Sequence, residues 1–324
     1  MNREDSFIHK IRERSVSNEK IIQGPGDDCA VLTTGKEGFF DLMTTDILVE
    51  NVHFKSAWSS LKDIGYKAVT VNISDIIACG GLPETVYLSL AFPKELHDHQ
   101  AGKIMEGIYE ACSQYHCVLA GGDTSRSPGP LIINIAVQGT VKKEHLKLRS
   151  GAKKDDLVCM TGSPGEARAV LQYYEANNAP PRVSEKALQH FHRPEPAMKA
   201  AQTLAKIQQV TAMMDLSDGL LTDLPRMAES SGVAIDIFTE NIPISDDLRK
   251  IAAKIESDPL TLAIEGGEDY GLLFTINEEG LSALRANLPI DFAQIGTVGT
   301  NVPGVKYFHE GKEFYPAGKG FSHF

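Results

Sequence analysis

Aspartate recurs in one chemical setting along this chain. Five segments place it beside glycine, serine or threonine: Gly24-Pro25-Gly26-Asp27-Asp28, Thr44-Thr45-Asp46, Ser74-Asp75, Gly121-Gly122-Asp123-Thr124 and Asp215-Leu216-Ser217-Asp218-Gly219. Each falls at an expected strand end or turn. Carboxylates flanked by hydroxyls are hard oxygen donors. They suit Mg²⁺, which takes a few carboxylates, keeps several waters and leaves positions for phosphate oxygens. The glycines let a backbone approach phosphate closely and point N–H groups at it.

Each segment also has a plain structural reading. Asp and Gly make turns, and Ser or Asp cap helices. Residues 24–28 read equally well as a simple turn, and Asp218 sits where a helix should start. Asp46 is less natural as a turn, because alternation puts Thr44 and Asp46 on one strand face and Thr45 on the other. Asp75 lies in an otherwise apolar window, residues 69–78. A carboxylate there needs a cation or several donors; Asn72, three residues earlier on the same helical face, offers the alternative of a core pair. Two carboxylates about 4 Å apart repel by about 4 kcal/mol at an effective dielectric near 20. Gathering all these acids into one place therefore requires cations, or leaves some of them protonated.

Other phosphate and cofactor chemistries have no support. There is no Gly-x-x-x-x-Gly-Lys-Ser/Thr loop, no Gly-x-Gly-x-x-Gly after a strand and no Gly-x-Ser-x-Gly elbow. His97 and His99, like His190 and His192, lack a third nearby ligand and read as surface histidines. The five cysteines form no Cys-x-x-Cys and read as reduced thiols. The net charge of -11 argues against nonspecific nucleic-acid binding. No apolar run is long enough to span a bilayer, and residues 1–20 show no signal-peptide pattern. A cytoplasmic protein is expected.

The elements that must position these acids alternate along the chain. Residues 39–46, 84–92, 131–141, 157–161, 211–215, 233–239, 270–276 and 292–298 read as strands. Residues 61–79, 100–115, 195–208 and 218–231 read as helices, with a further helix opening at Pro164. Val69, Val71 and Ile73 weaken the helical reading of residues 61–79. At 324 residues two domains are expected, with the boundary in the charged stretch 142–156. The reading is an α/β (α+β) protein with an N-terminal domain at 1–145 and a C-terminal domain at 146–324. Gly121-Gly122-Asp123 and Gly266-Gly267-Glu268 hint that the halves are related.

In order, GPGDDCAVL, TTD with the following His53, VNISDI before Gly80-Gly81, AGGDTSR, MDLSDGLLTDL and GGEDY resemble the successive motifs of the thiamine-monophosphate kinases. They run from about Gly24 to the terminal GFSHF. The resemblance implies an aminoimidazole ribonucleotide synthetase-like fold, with a homodimer made through the N-terminal sheet. It implies that ATP and thiamine monophosphate give thiamine diphosphate and ADP by direct in-line transfer, without a phosphoenzyme. Carried over by motif, Asp28, Thr44, Thr45, Asp46, Asp75, Asp123, Asp215 and Asp218 would hold several Mg²⁺ ions, with Asp46, Asp75, Asp123 and Asp215 at the catalytic centre. Gly122, Asp123, Arg149 and Ser217 would hold ATP. His53, Glu268 and Phe321 would hold the thiamine end, Phe321 standing where the family often has Trp or Tyr. Without the resemblance, Arg149 reads equally as a surface arginine, His53 as a strand-end histidine and Glu268 as a turn acid. The rival functions are another ATP-using enzyme of the same superfamily and a catalytically idle Mg²⁺- or nucleotide-binding module.

Overall fold

A computed structural model describes residues 3–15, 18–177, 179–287, 291–300, 302–318 and 320. The N-terminal half carries α1 (Arg3–Arg14), β1 (Ile21–Gln23), β2 (Ala30–Thr33), β3 (Phe39–Val49), α2 (Leu61–Ala78), β4 (Leu82–Phe92), α3 (Asp98–Gln114), β5 (Val118–Arg126) and β6 (Ile132–Lys142). Among the described residues, its six strands pair in the order β1-β2-β3-β6-β4-β5, all antiparallel except β4 with β5. The C-terminal half carries β7 (Leu157–Thr161), α4 (Glu166–Asn177), α5 (Glu185–His192), α6 (Met198–Ala205), β8 (Val210–Leu216), α7 (Leu220–Ser231), β9 (Ala234–Phe238), α8 (Asp246–Lys254), α9 (Pro259–Glu265), β10 (Gly271–Ile276), α10 (Glu278–Asn287), β11 (Phe292–Gly299), β12 (Gly304–His309) and β13 (Lys312–Phe314). Among the described residues, its seven strands run β13-β12-β9-β11-β7-β10-β8.

The helix α2 is the axle of the molecule. It packs on α3, on β3 and β6, and on β8 and α6 of the other half. From Ile64 to Ala78 it is buried almost throughout. Helix propensity disfavours its Val, Ile and Thr residues by up to about 0.7 kcal/mol each, whereas burying such a side chain contributes about 1.5–3 kcal/mol. Burial wins, and the segment is helical. The α2–α3 contact is made at Gly65 and Gly107. A Cβ on Gly65 would meet the Ile104 carbonyl at 2.1 Å, and one on Gly107 would meet the Lys62 carbonyl at 1.8 Å.

On β6, Ile133, Ile135, Val137 and Val141 are buried in strict alternation. The other face of this sheet leaves Met43, Ile47 and Tyr87 exposed. Two sequence expectations change. The helix expected at 195–208 is only Met198–Ala205, because Pro194 and Pro196 bar an earlier start. The Gly121-Gly122-Asp123 segment lies inside strand β5 and not in a turn, whereas Gly266-Gly267-Glu268 is a loop after α9. The resemblance between these two elements is not structural. Among the described residues, no helix is long and apolar enough to cross a membrane.

Candidate active site

A cavity of about 900 Å³ lies where β3, α2, α5, the end of β8 and the loop before β10 meet. One face of α2 lines it with Ile64, Lys67, Val71 and Asp75. These residues recur every three or four positions, so they stack along one helical stripe. Lys67 and Asp75 are eight residues apart, about 12 Å along the helix axis. The cavity therefore has an acidic end and a distant second end.

At the acidic end, carboxylate oxygens of Asp28, Asp75 and Asp215 all lie within 4.8 Å of one another. They arrive from three places: the turn before β2, the last turn of α2, and β8. Thr44 Oγ1 donates to Asp75 Oδ2 at 2.6 Å, and Ser74 Oγ donates to Asp215 Oδ2 at 2.8 Å. Asn72 does not pair with Asp75, since its amide donates to the Ala68 carbonyl instead. Burial, followed by repulsion between neighbouring acids, raises the pKa of Asp75 and Asp215 well above the usual carboxylate range. Asp28 is raised by burial, with Arg149 pulling the other way. Asp46 is pushed up to about 6, by burial and then by the charge of Asp218.

The donor set fits a divalent cation. Among the described residues, buried Asp28 Oδ2 has no hydrogen-bond partner, and an orphaned buried oxygen is costly unless a cation meets it. Arg149 supports the same carboxylate through Oδ1, with Nε at 2.7 Å and Nη2 at 2.5 Å. The adjacent Asp27 is outside the cavity lining; it accepts the Arg149 backbone N–H at 3.1 Å, and its carboxylate lies within 4.8 Å of an Asp28 oxygen and of Cys79 Sγ. Burial and the charge of Asp28 raise the pKa of Asp27 to about 7.

The segment 215–219 is held from behind by Asp223. Its Oδ2 accepts the backbone N–H groups of Ser217 at 3.1 Å, Asp218 at 3.0 Å and Gly219 at 3.1 Å. Asp223, in the first turn of α7, thus anchors the loop that leads into that helix, whose N-cap is Gly219. Asp218 instead lines the cavity and pairs with Arg226 Nη1 at 2.5 Å. Ser217 Oγ points back to Asp215 Oδ1 at 3.4 Å.

The second end is built around Lys67 and Glu268. Lys67 Nζ lies 2.9 Å from Glu268 Oε1. Glu268 and Tyr270 hold positive φ of 64° and 49°, conformations that bulky residues adopt only when surroundings enforce them. The enforcing contacts are visible: Glu268 N–H donates to the Ser217 carbonyl at 2.7 Å and Tyr270 N–H to the Leu216 carbonyl at 2.9 Å. The loop carrying Glu268 is thereby tied to the strand end carrying Asp215. His53 also lines the cavity, its Nδ1 accepting the Val49 N–H at 3.0 Å.

Of the expected residues, Asp28, Thr44, Thr45, Asp46, His53, Asp75, Arg149, Asp215, Ser217, Asp218 and Glu268 line this cavity. The Thr45 hydroxyl is engaged on the other strand face, donating to the Ile135 carbonyl at 3.0 Å. Gly122 and Asp123 do not line the cavity. Asp123 stands in one cross-strand row with Ser89, Asn134 and Ile47, on the open face of the sheet and one residue out of phase with Asp46. Gly122 has a structural reason of its own, since a Cβ there would meet the Leu88 carbonyl at 1.9 Å. Phe321 lies outside the described residues. Four residues with roles here were not read from the sequence: Lys67, Asp223, Arg226 and His192. A lysine in the apolar run of α2 was the legible signal for Lys67. The histidines of α5 are not surface residues: His192 bonds Ser59 Oγ at 2.8 Å and the Tyr174 hydroxyl at 3.1 Å, and His190 Nε2 lies 3.7 Å from Asp269.

Comparison with known proteins agrees with this geometry. Residues 26–141 match the family model for AIR synthase related protein, N-terminal domain, and residues 153–305 match its C-terminal domain. Thiamine-monophosphate kinase of Bacillus subtilis (strain 168) is 36% identical over 301 residues, covering 91% of each chain. That of Escherichia coli (strain K12) is 30% identical over 327 residues, covering 99% of this chain and 98% of the relative. The solved structure of AaThiL complexed with AMPPCP and TMP superposes with a TM-score of 0.83 at 31% identity, covering 99% of this chain and 96% of that one. Hydrogenase maturation protein HypE shares the fold at 17% identity, with a TM-score of 0.72. This chain belongs to the AIR synthase related family and, within it, to the thiamine-monophosphate kinases.

Proposed function

We propose that this chain transfers the γ-phosphoryl group of ATP directly to the phosphate of thiamine monophosphate, giving thiamine diphosphate and ADP. The observation that carries this reading is the convergence of Asp28, Asp75 and Asp215 within 4.8 Å at one end of a large cavity. That cavity also presents Arg149, Lys67 and Glu268. The acceptor is already a phosphate, so its oxygen is nucleophilic at neutral pH and no strong base is required. The demand is alignment and neutralisation of charge on two phosphorylated molecules.

Asp28, Asp46, Asp75, Asp215 and Asp218, with Thr44, Thr45 and Asp123, are the proposed holders of Mg²⁺. When bound, Mg²⁺ supplies charge neutralisation and orientation of phosphate oxygens. Arg149 fixes Asp28 and contributes a permanent cation at the same end. Ser74 and Thr44 hold their carboxylates in one orientation, so the acids do not reorganise as charge develops. Glu268, His53 and Phe321 are assigned to the thiamine end, and Ser217, Arg149, Gly122 and Asp123 to ATP.

The domain division at 1–145 and 146–324, the cytoplasmic location and the homodimer belong to this proposal. The dimer is supported by the exposed Met43, Ile47, Tyr87 and Val118 of the N-terminal sheet, an apolar patch of the kind that marks interfaces. Gly122 and Asp123 share that open side, so their part in ATP binding goes with the dimer. Incubation with ATP, Mg²⁺ and thiamine monophosphate, read by mass spectrometry, should yield thiamine diphosphate and ADP in equal amounts. ADP without a phosphorylated product would mean a hydrolase. Binding of ATP without ADP release, across phosphorylated acceptors, would mean an idle binding module.

A further inference from the structure

Trp58 is the sole tryptophan of the chain, and it lines the cavity. It follows β3 in the N-terminal half, yet it is held by residues of the other half. Tyr174 of α4 stacks on it, with ring centroids 5.2 Å apart and planes at 20°. Phe191 of α5 stacks on Tyr174 at 5.7 Å. His192 closes the wall by bonding both Tyr174 and Ser59, the residue after Trp58. The wall stands at the end of the cavity remote from Asp75, since Lys67 Nζ lies 5.4 Å from the Phe191 ring centroid.

An ammonium already sits on this tryptophan. Lys55 Nζ is 4.0 Å from the Trp58 ring centroid, and Lys55 also lines the cavity. The ring therefore hosts a positive charge inside the substrate cavity, which is what an aromatic quadrupole does best with tryptophan. Glu268 is a weaker candidate for a cationic substrate, because Lys67 neutralises it at 2.9 Å. Along α2, Lys67 to Asp75 spans about 12 Å, roughly the reach of a two-ring substrate bearing one phosphate.

We propose that Trp58 is the seat for the permanently cationic thiazolium ring of the acceptor, and that the ring takes the place Lys55 occupies in its absence. This rests on the thiamine monophosphate reading above. It adds a specificity: the cavity selects the charge of the acceptor ring as well as its phosphate. Tyr174, Phe191 and His192 are positioning residues that hold the indole at the correct angle.

Because no other tryptophan is present, thiamine monophosphate added without ATP should quench the protein's tryptophan emission saturably. Trp58→Leu, which keeps an apolar side chain and removes the π-face, should raise KM for thiamine monophosphate about tenfold, with kcat and KM for ATP within about twofold. Trp58→Phe should recover most of that loss and serves as the folded control. Lys55→Met should tighten thiamine monophosphate binding. An uncharged thiophene analogue of thiamine monophosphate should bind wild type about tenfold more weakly than the cationic compound, and Trp58→Leu should lose this discrimination. Unchanged KM and unchanged discrimination in Trp58→Leu, with wild type forming thiamine diphosphate, would overturn the seat and leave the kinase reading standing. No thiamine diphosphate from wild type would overturn both.

Discussion

Lys67 Nζ and Glu268 Oε1 form a 2.9 Å ion pair across the cavity, joining the central helix of one half to the site loop of the other. The lysine side chain is 7% exposed and the glutamate 31%, so the pair is only partly screened. Breaking a fully buried pair costs about 3–5 kcal/mol; with Glu268 reaching solvent, Lys67→Met should cost about 2 kcal/mol. Lys67→Met and Glu268→Gln should be non-additive in chemical denaturation, with a coupling energy of about 1 kcal/mol. Additive effects would mean that the halves are not tied together here.

Asp75→Asn and Asp215→Asn should each lower kcat by a factor of about 10³, the scale of losing a preorganised charge at a reacting centre. Asp46→Asn and Asp123→Asn should also abolish turnover at saturating Mg²⁺ while leaving circular dichroism unchanged. Asp123 is exposed on an edge strand, so any loss there cannot come from the core. Near-normal rates in Asp46→Asn and Asp123→Asn together would remove both from the metal set.

The acid cluster makes a signed prediction about pH. Carboxyls whose folded pKa is raised above 3.8, such as Asp46 at about 6 and Asp223 at about 7, hold protons that the unfolded chain has released. Stability then falls as pH rises from about 4 towards 7, because the folded state binds more protons there. In EDTA the thermal midpoint should therefore be higher near pH 5 than near pH 8. Mg²⁺ should raise it far more at pH 8, where the ionised cluster binds the cation, than at pH 5. Equal Mg²⁺ shifts at both values would count against a cation at these carboxylates.

Asp223→Ala should be the most damaging change outside the ligand set. It leaves the N–H groups of Ser217, Asp218 and Gly219 without their shared acceptor. Leaving a buried donor unsatisfied costs about 1–3 kcal/mol, and three donors share this one acceptor. A destabilisation of about 3 kcal/mol in urea unfolding is expected. KM for Mg²⁺ should rise too, since the loop carrying Asp218 loses its anchor. Wild-type stability in this variant would show that the anchor is dispensable.

Much of the architecture was legible because periodicity is local. β3, β4 and β6 follow from alternating apolar runs, and α3 and α7 from helical spacing. The α2 segment was harder: its β-branched residues point to a strand, and only burial on nearly every side makes it a helix. α6 starts later than its periodicity predicts, because Pro194 and Pro196 outweigh the spacing that follows them.

The chain's own order of residues determined that aspartates beside hydroxyls and glycines were the seat of any phosphate chemistry. It also determined, by motif order, which family they resemble. Tertiary structure decided which acids meet. Asp28, Asp75 and Asp215 are far apart along the chain, and only the packing of α2 between the two sheets brings their oxygens within 4.8 Å. The same pleat that turns Asp46 inward turns Asp123 outward, because neighbouring rows of a sheet face opposite sides. Local sequence carries no information about that pairing register. The pairing of Lys67 with Glu268 and of Trp58 with Tyr174 was likewise unreadable, since each joins opposite halves of the molecule.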